Sequence, residues 1–155
     1  MVPAARTTVQ RKLSVPSRSI TSLIYVSTAR CDLSLEDFLG IMTVSQRNNQ
    51  RLGITGLLVF NGTNFMQCLE GDKAATNDCL RKIGSDERHN GITILSHELK
   101  ANPEFSGWHM AGRYLPAEQC LGEASLSVLL ADDAVSEATR TLFQSFRSLG
   151  GLPRS

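Results

Sequence analysis

The chain has 155 residues, 41% hydrophobic and 20% charged, enough to bury one core without disulfides or metals. Residues 1–19 carry Arg6, Arg11, Lys12 and Arg18 with no acid, which leaves the rest at −3 with 12 basic and 15 acidic residues. That balance excludes nucleic-acid binding driven by phosphate neutralisation, and no apolar run reaches the length of a membrane span.

The basic segment 1–19 reads as a flexible arm ahead of the first periodic element. Residues 20–27 alternate as a strand, with Leu23, Tyr25 and Ser27 on one face and Ile24 and Val26 on the other. Ser34 followed by Leu35-Glu36-Asp37 predicts a helix start, a hydroxyl N-cap with acids in the first turn. Phe38, Leu39, Ile41 and Met42 give that helix its apolar stripe to about Arg51, and Gly53 falls where a helix-ending glycine sits. Ile54 to Phe60 is apolar almost throughout, as in a central strand covered on both faces. Asn61-Gly62 predicts a tight hairpin, with Thr63 to Glu70 returning antiparallel.

Asp72 caps a second predicted helix, 73–84, with Ala75, Cys79, Leu80 and Ile83 inward. Ile92 to Leu99 and Trp108 to Tyr114 read as two more strands. The order βαββαββ predicts an α/β, ferredoxin-like sandwich with both helices on one sheet face. After Pro116 the composition turns to Ala, Ser and Leu: a short helix is predicted at Leu126 to Leu130, and a longer one carries Val135, Ala138, Leu142, Phe143, Phe146 and Leu149. The chain thus divides into the arm 1–19, a domain 20–115 and a helical extension 116–155, which is expected to coat the bare sheet face. Cys31, Cys68, Cys79 and Cys120 form no C-x-x-C pair, and there is no export signal, so reduced thiols and a cytoplasmic setting are expected.

The first helix stripe continues through Ser45 and Asn49, polar where the helix end should still be close to the core. On the third strand Gln67 shares a face with Phe65 and Leu69 by period two. Alone, such an amide is an ordinary edge-strand residue in solvent. The topology, however, sets the first and third strands side by side, which brings Tyr25 against Gln67. Buried polar groups require partners, and the simplest partner for convergent amides is a flat, polar-edged ligand. No G-x-G-x-x-G, P-loop or HExxH is present, and a Cys–His nucleophile has little support because Cys68 faces away from Gln67 and His97 and His109 read as surface residues.

Several stretches together resemble the BLUF family of flavin-binding blue-light sensors: Tyr25, Arg47-Asn48-Asn49, Gly53 to Leu58, Phe65-x-Gln67-x-Leu69-Glu70-Gly71, Asp86-x-Arg88-His89 and Trp108-x-Met110. The resemblance spans 20–113. It implies that Tyr25 donates an electron and a proton to photoexcited flavin and that Gln67 is the switching amide. It further implies that Asn49 holds the ring edge, with Asn48 also at the cofactor, and that Ile41 and Ile83 flank the ring. Ser45, Leu58 and Phe65 line it, and Asp86, Arg88 and His89, with Lys82, stand at the ring edge or ribityl-phosphate side. Trp108 and Met110, read here on the inward face of the last strand, are by the same resemblance signal relays. Glu104 stands where the family often has Arg, which puts a surface contact in question.

The expected protein is a short, non-enzymatic photoreceptor that binds flavin, FAD above FMN or riboflavin, and no metal. It signals to a separate effector protein and forms a homodimer or higher homo-oligomer, with no room after residue 115 for an output enzyme. Two rivals use the same topology. One is a light-independent ligand-binding or dimerisation module, which would purify colourless. The other is an acylphosphatase-like hydrolase, for which Ser27-Thr28-Ala29-Arg30 is a poor anion cradle.

Overall fold

Five strands form one sheet in the order β4-β1-β3-β2-β5: β1 is Ile20–Ala29, β2 Thr55–Phe60, β3 Asn64–Gly71, β4 His89–Lys100 and β5 Ala111–Tyr114. The computed structural model describes residues 19–116 and 125–149, so the basic arm and the Gly150-Gly151 stop lie outside the described residues. All pairs are antiparallel except β2 with β5. Helices α1 (Leu35–Leu52) and α2 (Lys73–Gly84) cover one face, packing through Phe38, Met42, Cys79 and Ile83 onto Leu23, Tyr25, Leu58, Phe65 and Leu69. This is the ferredoxin-like arrangement.

Local chemistry fixes the helix ends. Ser34 and Asp37 form a reciprocal capping box on α1, and Gly53 closes it at φ 71°. Asp72 accepts from the amides of Ala74 and Ala75 to start α2. The Asn61-Gly62 turn is wider than a two-residue hairpin. The Asn61 side chain accepts from the amides of Thr63 and Asn64, at 3.0 and 2.8 Å, so β3 starts at Asn64 and not at Thr63. Gly56 on β2 has no room for a side chain: a Cβ there would lie 1.9 Å from the Cys68 carbonyl oxygen.

The opposite sheet face is covered by α3 (Leu126–Leu130) and α4 (Glu137–Leu149). Leu126, Leu129, Leu130, Val135, Phe143 and Phe146 pack with Phe105 onto Ile24, Leu57, Val59, Met66 and Cys68. These helices therefore complete the core. Phe143, which has no exposed surface, is expected to cost about 3–5 kcal/mol when replaced by Ala, a large share of a domain's roughly 5–15 kcal/mol. Urea unfolding of Phe143→Ala checks this, and a loss under about 1 kcal/mol would contradict it.

The last strand is shorter than its pattern predicts. Residues 101–110 run as an irregular strap, and β5 begins only at Ala111. Side chains of α1 hold the strap's end: Asn49 Nδ2 donates to the His109 carbonyl at 2.9 Å, and Gln46 Nε2 donates to the Met110 carbonyl at 3.0 Å. Trp108 and Met110 consequently do not share an inward strand face. Met110 is 1% exposed and Trp108 is 46% exposed. Glu104 also departs from its reading as a surface contact: it is buried, and binds the start of α4.

Candidate functional site

A cleft of about 180 Å³, open to solvent at its mouth, lies between α1 and α2 over the centre of the sheet. Its floor is Tyr25, Leu58, Phe65 and Gln67 from three adjacent strands. The register places Tyr25 opposite Gln67 across β1 and β3, and Leu58 opposite Gln67 across β2 and β3. One wall is the α1 stripe Ile41, Val44, Ser45, Asn48, Asn49, Leu52, with Arg51 beside it; these positions recur at the helical spacing of three and four. The other wall is Cys79, Lys82 and Ile83 of α2, with Asp86, Arg88 and His89 closing the end.

Every residue expected to bind the cofactor, Ile41 through His89, thus borders one cleft. Trp108 and Met110 border another, between α1 and β5, together with Phe38, Leu39, Met42 and Gln46. Val44, Leu52, Arg51 and Cys79 were not expected. The first two follow from extending the α1 stripe by one helical step. Val44 is 45% and Leu52 39% exposed, apolar surface that the cleft explains.

At the floor, Tyr25 Oη donates to Gln67 Oε1 at 2.5 Å. The Gln67 amide nitrogen then faces Met110, whose Sδ it meets at 3.5 Å. Tyr25 is 2% and Gln67 3% exposed, so this pair is out of bulk water. Burial raises the phenol's pKa well above its ordinary value, and the nearby Cys79 and Asp86 push the same way. The resting phenol therefore holds its proton firmly.

His89 anchors the end of the site. Its Nε2–H donates to the Ile83 carbonyl at 2.7 Å, so in the neutral ring Nδ1 accepts from the Ser27 hydroxyl, also at 2.7 Å. Arg88 is clamped on Asp86 by Nε and Nη2, at 2.9 and 2.5 Å. That pairing holds the Asp86 carboxyl below its usual range and raises Arg88. Lys82 is exposed at the mouth, 3.8 Å from Asp78. Arg30, the one cation of the rival anion cradle, is taken up by Asp32 and Asp37.

The cleft fits a flavin by its donor set. The side chains of Ser45 and Asn48 make no hydrogen bond to another described residue, and Asn49, which also lines the cleft, spends only its amide nitrogen, on the His109 carbonyl. Ile41 and Ile83 stand on opposite walls, as a flat ring requires. A buried phenol–amide pair thus lies beneath an apolar slot with an amide rim, on a ferredoxin-like sheet.

A family model described as sensors of blue-light using FAD matches residues 20–111. The chain belongs to the BLUF family. It is 33% identical over 147 residues to the photoactivated adenylate cyclase subunit beta of Euglena longa, an alignment of 89% of this chain and 16% of that protein. It is 36% identical over 76 residues, 49% of the chain, to the blue light- and temperature-regulated antirepressor BluF of Escherichia coli strain K12, where the match spans 19% of the relative. Among solved structures, the dark state of the BLUF protein BlrB aligns at TM-score 0.64 and 32% identity, over 83% of this chain and 98% of that one. Klebsiella pneumoniae BlrP1, in a calcium and cyclic-diGMP complex, aligns at TM-score 0.72 and 31% identity, over 85% of this chain and 34% of that one.

Proposed function

We propose that Tyr25 and Gln67 are the photoactive pair of this flavin-based blue-light sensor, and that a change in their hydrogen bonding is the signal. The observation that carries the reading is the 2.5 Å contact from Tyr25 Oη to Gln67 Oε1 at the floor of the cleft. Bound flavin supplies blue-light absorption and, once excited, a strong oxidant. Tyr25 gives up an electron, its phenol becomes strongly acidic, and the proton leaves along the bond to Gln67. When electron and proton return, the Gln67 amide is left rotated or tautomerised, and its contact with Met110 changes with it.

Asn49 and Asn48 hold the polar ring edge, Ser45, Leu58 and Phe65 line the ring, and Ile41 and Ile83 flank it. Asp86 fixes Arg88, and His89 fixes the loop end, beside the ring edge or ribityl side, with Lys82 at the mouth. The flavin is FAD, and the protein acts in the cytoplasm as a sensor without catalytic activity of its own. Its signal passes to a separate effector protein, from a homodimer or larger assembly of chains.

The test is an absorption spectrum of flavin-reconstituted protein in darkness and after blue light. A yellow protein with near-stoichiometric flavin and a small, reversible red shift is expected, because only hydrogen bonds to the ring change. Chromatography of the flavin retained in cells identifies FAD, FMN or riboflavin. Failure to bind any of the three would refute the cofactor, and binding without a light response would favour a light-independent module.

A further inference from the structure

The sheet separates the photoactive cleft from α3 and α4, yet one strap touches both sides. Gln67 and Glu70 lie on the same strand, Gln67 facing the cleft and Glu70 the C-terminal helices. Gln67 meets Met110 at one end of the strap. At the other end, Glu70 accepts from the amides of Glu104 and Phe105 at 2.6 and 2.9 Å, and from the Thr55 hydroxyl at 3.1 Å. Between these anchors, the Trp108 amide donates to the Phe105 carbonyl, and the Trp108 carbonyl accepts from Gly56. The strap is therefore short and held along its length.

From this strap Glu104 reaches into the start of α4. Its Oε1 accepts from the Ser136 amide at 2.6 Å, and its Oε2 from the Thr139 hydroxyl at 3.2 Å and from Lys100. Ser136 is itself the cap of α4, its hydroxyl accepting from the Thr139 amide at 3.2 Å. A carboxylate at this position also complements the positive end of the helix dipole. Glu104 is 7% exposed, so the clasp is shielded from water and its loss leaves buried donors without an acceptor. The neighbouring Phe105 ring sits among Phe143 and Phe146 of α4.

We infer that Glu104 is the positioning residue through which a rearrangement at Gln67 and Met110 reaches α4, and that the first turn of α4 is where the light signal leaves the sheet. The inference rests on the photoreceptor reading above. A change in the Gln67–Met110 contact displaces residues 109–110. Because Glu70 pins residues 104–105 from behind, the displacement is taken up at the Glu104 carboxylate, which loosens its hold on Ser136 and Thr139. The two states of the element are a clasped and an unclasped α4 start. A physical path becomes a coupling only when both ends are shown to respond.

Hydrogen exchange of the flavin-loaded full chain, in darkness and under blue light, tests it. In the wild type, exchange across 136–140 is expected to rise several-fold on illumination. In Glu104→Gln and Thr139→Val, exchange there is expected to be raised already in darkness and to gain little more in light, while the flavin red shift stays as in the wild type. A merely structural staple would raise exchange equally in both conditions and preserve the light–dark difference. That result, or a wild type whose α4 start ignores light while the flavin responds, overturns the inference. Absence of any absorption change would instead sink the photoreceptor reading beneath it.

Discussion

Tyr25→Phe is expected to bind flavin at wild-type stoichiometry and to lose the light-induced red shift entirely. The substitution removes one hydroxyl from a ring whose packing among Leu23, Leu58, Phe65 and Leu69 is otherwise kept. It also removes the donor to Gln67 Oε1 and the most readily oxidised group on the cleft floor. Trp108 and Tyr114 are the other oxidisable rings, but neither lines this cleft; Trp108 is 46% exposed and borders the cleft between α1 and β5, and Tyr114 packs on Phe38 and Phe60. The phenol's raised pKa points the same way, since burial disfavours loss of its proton while the ring is unoxidised. Gln67→Ala should abolish the shift as well, by removing the group that turns. Transient absorption separates the two, since Gln67→Ala still has an electron donor and Tyr25→Phe has none. A Tyr25→Phe variant with a full reversible shift would move the donor role to Trp108 and end this mechanism.

The periodic elements were legible because their signals are local. The Ser34–Asp37 capping box, the Gly53 stop and the Asp72 cap each act within a few residues, and helix boundaries follow them closely. The cofactor cleft was legible for a related reason. Ser45 and Asn49 break an apolar stripe, and Tyr25 meets Gln67 once β1 and β3 are paired. What escaped lies between Lys100 and Ala111. Apolar Trp108 and Met110, two apart, imitate a strand, yet tertiary bonds from Gln46, Asn49 and Gly56 keep the backbone out of the ladder. Glu104 was illegible because, apart from Lys100, its partners Glu70, Ser136 and Thr139 are 32 to 35 residues away. Nothing in a local window says that an acid there will be buried.

Glu70→Ala is expected to destabilise the domain by about 3–9 kcal/mol, because it leaves the amides of Glu104 and Phe105 and the Thr55 hydroxyl without an acceptor, at about 1–3 kcal/mol each. Glu70→Gln keeps one acceptor oxygen and costs less, but changes the pH dependence. Burial raises the Glu70 carboxyl above its ordinary 4.5, more than its three donors lower it. A raised carboxyl contributes stability that is full below 4.5 and is lost as pH rises through the folded value. Glu104 runs the other way. Burial pushes it up, but Lys100, the Ser136 amide and Thr139 together hold it below 4.5, so its stability is present above 4.5 and lost as pH falls. Urea unfolding between pH 4 and 7 should therefore show Glu70→Gln improving relative to wild type as pH rises, and Glu104→Gln worsening over the lower part of that range. Parallel slopes for the two variants would mean that the Glu70 carboxyl is lowered by folding as Glu104 is, its three hydrogen bonds outweighing its burial.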